Sequence, residues 1–233
     1  MTRPTEFDER VRQCLAALAA QAVRSPPRIL QIGAGDGRSG DFLHEFLTST
    51  QCSAVLLEPV AHVFDLLTHT YRGYPSITCR RIAVSAVPGE RILYRVSNTS
   101  GLPWWADQLA SFDKNVVLSH SKLIPNLEAL LTTESVWTVT PANVLTEFRF
   151  THLDLLAIDT EGHDDVILSE FLKVNCIPQI VIFEHKHLSP SRTAELEARL
   201  REHEFELTHG PADTIACHRG FRAFCLPSNL PDI

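Results

Sequence analysis

The sequence predicts an α/β protein built on a doubly wound, mostly parallel sheet, and three observations carry that prediction. Short runs dense in apolar residues, Ile29–Ile32, Ala54–Leu57, Leu155–Ile158 and Ile180–Phe183, have the character of strands buried on both faces. Between them lie stretches whose apolar residues recur at helical spacing. At the end of the chain, Phe205–Thr208, a Gly210-Pro211 turn and Thr214–Cys217 make an antiparallel hairpin. A succession of βα units closed by a hairpin gives a mainly parallel sheet with helices on both faces.

In chain order, Pro4 to Val23 reads as a helix with Pro4 in its first turn, and Leu15, Leu18 and Val23 are expected to lie over the sheet. Pro26-Pro27 ends it just before the first strand. After the glycines that follow this strand, Phe42, Leu43, Phe46 and Leu47 predict a helix, with Ser39 or Asp41 available to cap. Pro59 opens the next helix, on which His62 and His69 should face solvent, and Ile77 to Ala83 supplies a third strand. Arg91 to Val96 alternates like an additional strand. Residues 98–133 are irregular and read as an insert or lid, in which Trp104-Trp105 either wall an acceptor pocket or fasten the insert down. Val136–Val139 is a short strand, Pro141–Phe148 a short helix and Ser191–His203 an amphipathic helix. Asp164 or Asp165 falls in the first turn of the helix after Leu155–Ile158, where an acid meets the helix dipole favourably.

The chain of 233 residues is most economically a single domain, 1–233, with residues 1–25 as an amino-terminal helix. The hydrophobic fraction is 44% and no apolar run approaches a membrane span, so no membrane partner is expected. A net charge of −7, with no basic cluster longer than Arg80-Arg81, argues against a nucleic-acid partner. The amino terminus is charged and lacks an apolar signal core, and the six scattered cysteines suit a reducing compartment, so a cytoplasmic location is expected.

In a doubly wound sheet the ligand lies outside the carboxyl ends of the strands, where strand order reverses. The sequence places its chemistry at four such ends. After Ile32 come three glycines at alternate positions, Gly33, Gly35 and Gly37, which permit positive φ and close approach of a ligand to the main chain. A dinucleotide fingerprint would need a third glycine at Arg38, so the tighter spacing suits a nucleoside without a pyrophosphate. Twenty-one residues after Gly37, Glu58 ends the second strand and is placed to accept hydrogen bonds from ribose hydroxyls. Ile82, Ala83, Val84 and Ser85 should lie under the base, while Asp159–His163 and Glu184–His185 add acids and histidines to the rim.

The loop from Gln31 to Gly37, the acid in Leu57-Glu58-Pro59, the segment Thr138–Leu145 and the run Leu155–Asp164 together resemble the FkbM-type methyltransferases. The likeness covers roughly Ile29 to Glu184, and the Asp159-Thr160-Glu161-Gly162 run is its most specific part. This resemblance implies a Rossmann-like fold with a seven-stranded sheet, using S-adenosyl-L-methionine to methylate a hydroxyl of a sugar or natural product, with a small molecule as acceptor. It implies a cofactor-binding set of Gln31, Gly33, Ala34, Gly35, Gly37, Glu58, Pro59, Ala83 and Asp159. Gln31 stands where the family commonly has Asp, which weakens the expected contact to the cofactor's ammonium.

An alcohol acceptor must lose its proton, and His163 and His185 are the candidate bases, with Glu161 behind them. Asp159 and Glu184 should end neighbouring strands, and with His185 they form a candidate site for Mg²⁺; pairing of the acids with cofactor, loop amides or basic side chains is the favoured alternative. Two other functions share these signals: an NAD-dependent oxidoreductase, against which the missing third glycine counts, and a non-catalytic nucleoside-binding module.

Overall fold

The computed structural model describes residues 5–97, 99–174 and 176–221; Pro4 lies outside them. Helix α1 (Glu6–Ala22) leads into β1 (Arg28–Ile32), α2 (His44–Ser49), β2 (Ser53–Leu57), α3 (Ala61–Thr70) and β3 (Ile77–Arg80). The chain then builds β4 (Ala83–Val84), β5 (Gly89–Val96), β6 (Ala110–Ser111), α4 (Lys114–Leu118), α5 (Leu127–Leu130) and β7 (Leu131–Val139). It continues through α6 (Pro141–Glu147), β8 (Leu155–Ile158), α7 (Asp164–Phe171), β9 (Ile180–Glu184), α8 (Pro190–Glu202), β10 (Phe205–His209) and β11 (Asp213–His218).

Seven strands form the main sheet in the order β10-β11-β9-β8-β1-β2-β3, and only β11 runs against its neighbours. Alternate side chains of each apolar run therefore enter opposite layers. Leu30, Ile32, Leu156, Ile158, Val181 and Phe183 meet Val144, Ile167, Phe171 and Leu200 from α6, α7 and α8. Ile29, Ala54, Leu56, Leu155, Ala157 and Ile182 meet Val11, Cys14 and Leu18 of α1 together with Phe46 and Leu67. Each fully buried aliphatic side chain of this kind contributes roughly 1.5–3 kcal/mol. The predicted doubly wound sheet with its closing hairpin is thus the fold of the chain. Among the described residues, no helix is long and apolar enough to cross a membrane.

Several local expectations are corrected. The buried stripe of α1 is Val11, Cys14, Leu18 and Ala22, and Val23, at its end, is 89% exposed. Helix α2 begins only at His44, because Gly37 and Gly40 adopt φ of +70° and +74° and keep the chain in turns. Asp36 caps one of these turns by accepting the Arg38 and Ser39 amides at 2.9 and 2.7 Å, and Asp41 accepts the Leu43 amide at 2.8 Å. Pro59 precedes α3 instead of opening it, since Val60 is the residue at the N-cap.

The third predicted strand is two. Strand β3 stops at Arg80, and Ala83-Val84 pair in parallel with Thr138-Val139 of a second sheet, ordered β4-β7-β5-β6. Strand β7 starts at Leu131, five residues earlier than expected, because its first half carries only partly buried or exposed residues. The insert is accordingly folded. It contributes β6, α4, α5 and two short 3-10 turns around a core of Val96, Leu109, Val117, Ile124 and Leu127.

Candidate active site

Strand order reverses between β1 and β8, since the chain goes outward from β1 to β3 and later returns on the other side at β8. At this point the two strand ends touch. A Cβ on Gly33 would lie 1.7 Å from the Asp159 carbonyl oxygen, so only glycine allows the turn and β8 to approach so closely. Gly33 and Ala34 donate their amides to the Leu57 carbonyl at 2.9 and 3.0 Å, which fixes the turn against β2. Glu58 accepts the Gly35 amide at 3.0 Å and the Val60 amide at 2.8 Å. It is buried, and desolvation pushes its carboxyl up to about 7 despite these two hydrogen bonds.

Two adjoining cavities open at this rim. The first is walled by Gly33, Gly35, Glu58, Pro59, Ala83, Leu93, Phe112, Asp159 and Glu161. The second is walled by Gln31, Gly33, Ala34, Gly35, Asp41, Asp159 and Asp213. Gln108 from the insert lines both, and its Oε1 accepts the Asp36 amide at 3.3 Å. In the second cavity the Gln31 side chain lies beside the Asp41 carboxylate, and Gln31 Oε1 and Asp41 Oδ2 are buried with no hydrogen-bond partner among the described residues. Eight of the nine residues expected to bind a cofactor therefore line one cavity or both. Gly37 lines neither: its φ of +70° packs the turn under Tyr71, whose hydroxyl donates to the Gly37 carbonyl at 2.9 Å.

The sequence profile of the methyltransferase FkbM domain matches residues 31–207, more than half of the chain. The chain belongs to the FkbM methyltransferase family. No curated protein matches it in sequence. Among solved structures, the METTL16 methyltransferase domain superposes with a TM-score of 0.51 at 11% identity, over 94% of this chain and 70% of that one. Methyltransferase FkbM from Methylobacillus flagellatus KT superposes with a TM-score of 0.50 at 10% identity, over 83% of this chain but 44% of that one. At such low identity these two likenesses concern the fold.

The candidate bases of this FkbM methyltransferase separate. Glu161 lines the first cavity, in a left-handed conformation with φ of +51° that costs a non-glycine residue on the order of 1–2 kcal/mol. Ser111 of β6 holds the strained turn by donating to the Glu161 carbonyl at 2.6 Å, and Arg192 of α8 donates to the Gly162 carbonyl at 3.0 Å. His163 lines neither cavity. Arg91 donates to Ser85 Oγ at 2.7 Å, leaving the hydroxyl proton for His163 Nε2 at 3.0 Å, and burial together with the Arg91 charge lowers the imidazole to about 4. His185 lies outside both cavities as well, with Nδ1 2.9 Å from Thr214 Oγ1 and its ring edge-on to His209.

Asp159 and Glu184 do converge, but the histidine beside them is His187 and not His185. Nε2 of His187 lies 2.9 Å from Glu161 Oε2 and 3.8 Å from Glu184 Oε1. Burial, with Asp159 and Glu161 adjacent, pushes Glu184 up to about 10. Asp159 is also raised well above its ordinary range, by its depth in the fold and then by Glu161. Its side chain is open to the cleft, where it stands among the carboxylates of Glu161 and Glu184.

Both acids lie in the first turn of α7, as expected, and Asp165 accepts the Val166 amide there at 2.8 Å. Asp164 accepts the Thr160 hydroxyl at 2.8 Å and the Glu184 amide at 3.2 Å, tying the ends of β8 and β9 together, while Asp165 also pairs with Arg192 through Nε at 2.7 Å. Trp104 is 60% exposed and Trp105 packs toward the insert core and His120, so neither lines the cavities. Sequence reasoning missed Gln108, Phe112, His120 and His187. Only His187 carried a signal, as the second histidine after the Glu184 strand end.

Proposed function

We propose that this chain is an S-adenosyl-L-methionine-dependent O-methyltransferase acting on a hydroxyl of a sugar or natural-product small molecule. The observation that carries the reading is the convergence of the glycine turn, Glu58 and the Asp159–Glu161 turn on one rim, at the reversal of strand order. The cofactor, when bound, supplies an activated methyl group on a sulfonium centre.

This chain's residues fit that cofactor. Glu58 keeps acceptor capacity for ribose hydroxyls, because a carboxylate has about four lone-pair sites and two amides occupy only part of them. Gln31 Oε1 and Asp41 Oδ2 are buried acceptors awaiting a donor such as an ammonium, so Asp41 supplies the charge that Gln31 lacks. Ile82, Ala83, Val84 and Leu93 offer an apolar wall to a base. Glu161 faces the same cavity and is the group we assign to take the acceptor's hydroxyl proton. Holding donor and acceptor in line supplies on the order of 7 kcal/mol or more in favourable cases. The acceptor is a small molecule and not nucleic acid, in keeping with a net charge of −7. Buried thiols at Cys52 and Cys176 suit a cytoplasmic setting.

Thermal unfolding with S-adenosylhomocysteine or NAD in excess tests the reading. S-adenosylhomocysteine should raise the melting temperature by several degrees and NAD should leave it unchanged. Stabilisation by NAD alone would replace the methyltransferase with an oxidoreductase.

A further inference from the structure

A second cluster lies behind Glu161. His120 comes from the 3-10 turn Ser119–Lys122 of the insert, Glu161 from the turn after β8, and His187 from the loop after β9. One ligand atom from each lies within 4.8 Å of the others, and Glu161 also belongs to a second such group with Asp159 and Glu184. These residues come from segments far apart in sequence.

Their hydrogen bonding is incomplete in a particular way. His187 Nε2, Glu161 Oε2 and Glu184 Oε2 are all buried, and none makes a hydrogen bond among the described residues. Nε2 and Oε2 are nevertheless 2.9 Å apart, with the His187 side chain only 8% exposed. Two atoms this close, with no hydrogen bond between them, are spaced to serve one ion together. Ligands at adjacent corners of an octahedron with bonds of about 2.1 Å stand roughly 3 Å apart, close to this spacing.

His120 is prepared in the same sense. Its Nδ1 lies 3.1 Å from the Val116 carbonyl, which can only accept, so Nδ1 carries the proton and Nε2 offers a lone pair. The residue is 7% exposed, and its ring packs on His187 with centroids 5.2 Å apart. A cation would occupy the lone pairs that these buried side chains leave unmatched. Two imidazoles with a carboxylate favour manganese, iron, cobalt, nickel or zinc over magnesium or calcium.

We propose that His120, Glu161 and His187, supported by Glu184, hold a divalent transition-metal ion at the edge of the first cavity. Through Glu161 Oε2 the ion adjoins the cavity, leaving the other carboxylate oxygen for the acceptor's proton; only this last role rests on the methyltransferase reading.

The test uses the full chain, stripped with chelator and titrated with Co²⁺ and Zn²⁺. Visible absorption follows Co²⁺, and calorimetry gives stoichiometry for both ions and the affinity for S-adenosylhomocysteine. One ion per chain is expected, with weaker binding of Mg²⁺. His120→Ala, His187→Ala and the milder His187→Asn should each weaken Zn²⁺ binding at least tenfold while leaving S-adenosylhomocysteine affinity within about threefold. Absence of stoichiometric Co²⁺ or Zn²⁺ binding by the unaltered chain would overturn the proposal, as would variants that bind Zn²⁺ as the unaltered chain does. Ion binding without S-adenosylhomocysteine binding would sink the methyltransferase reading and leave the metal site standing.

Discussion

Gly33 shows how much of the site depends on a missing side chain. Its φ of +77° and the 1.7 Å that would separate a Cβ from the Asp159 carbonyl mean that Gly33→Ala must strain the turn and push β8 aside. The cost should exceed roughly 3 kcal/mol, combining a left-handed penalty of about 1–2 kcal/mol with a backbone clash. Urea denaturation measures it, and a loss below 1 kcal/mol would show that the contact is relaxed. The acids were legible in the sequence at this scale, because a carboxylate directly after a buried apolar run must emerge at the strand's carboxyl end. The histidines were not. His163, His185 and His187 all follow strand ends, yet which ring enters the cluster depends on the φ and ψ of irregular turns, to which periodicity is blind. His120 lay inside a stretch with no recognisable period. With His163 bound to Ser85 and His185 to Thr214, His163→Ala and His185→Ala should each keep turnover within about threefold, and a hundredfold loss in steady-state assays would restore that histidine as a base.

Among elements, β6 has an effect beyond its two residues. Ser111 joins it to the Glu161 carbonyl and also accepts the Asp113 amide, at 3.1 Å. Ser111→Ala should free the strained Glu161 turn and lower turnover about tenfold, while S-adenosylhomocysteine affinity changes by less than threefold. Equal losses in both would mean that β6 supports the whole cavity and not the turn. Strands β1, β2, β8 and β9 were readable because burial on both faces leaves an unbroken apolar run. The first half of β7 was not, since Thr132 to Ser135 stay partly buried or exposed and register comes from pairing with β5. The break between β3 and β4 was hidden for a related reason: Ile77 to Ala83 has one composition, but its two ends pair in different sheets.

At the scale of the whole molecule, the fold places charge where water is scarce, and stability should record it. Glu58 titrates near 7 in the folded chain against 4.5 ordinarily, because burial disfavours its charged form. A raised carboxyl pKa gives stability that is full below about 4.5 and lost as pH rises through about 7. Glu58→Gln lacks this loss, so relative to the unaltered chain it should gain stability between pH 5 and pH 8. The gain is on the order of 2–3 kcal/mol, at about 1.4 kcal/mol per pKa unit. A difference that does not change with pH would place the Glu58 carboxylate in water.

Topology was the most legible property of all, because alternating strand and helix patterns permit few right-handed arrangements. What the chain order alone could not disclose was that the insert supplies Gln108 and Phe112 to the cavity and His120 to the cluster behind it. Calorimetric titration of the full chain and of Glu58→Ala with S-adenosylhomocysteine tests most directly whether the rim at the strand reversal is a cofactor site. The account predicts binding by the unaltered chain and at least a tenfold weaker affinity for the variant. Equal affinities, or no binding by either, would contradict it.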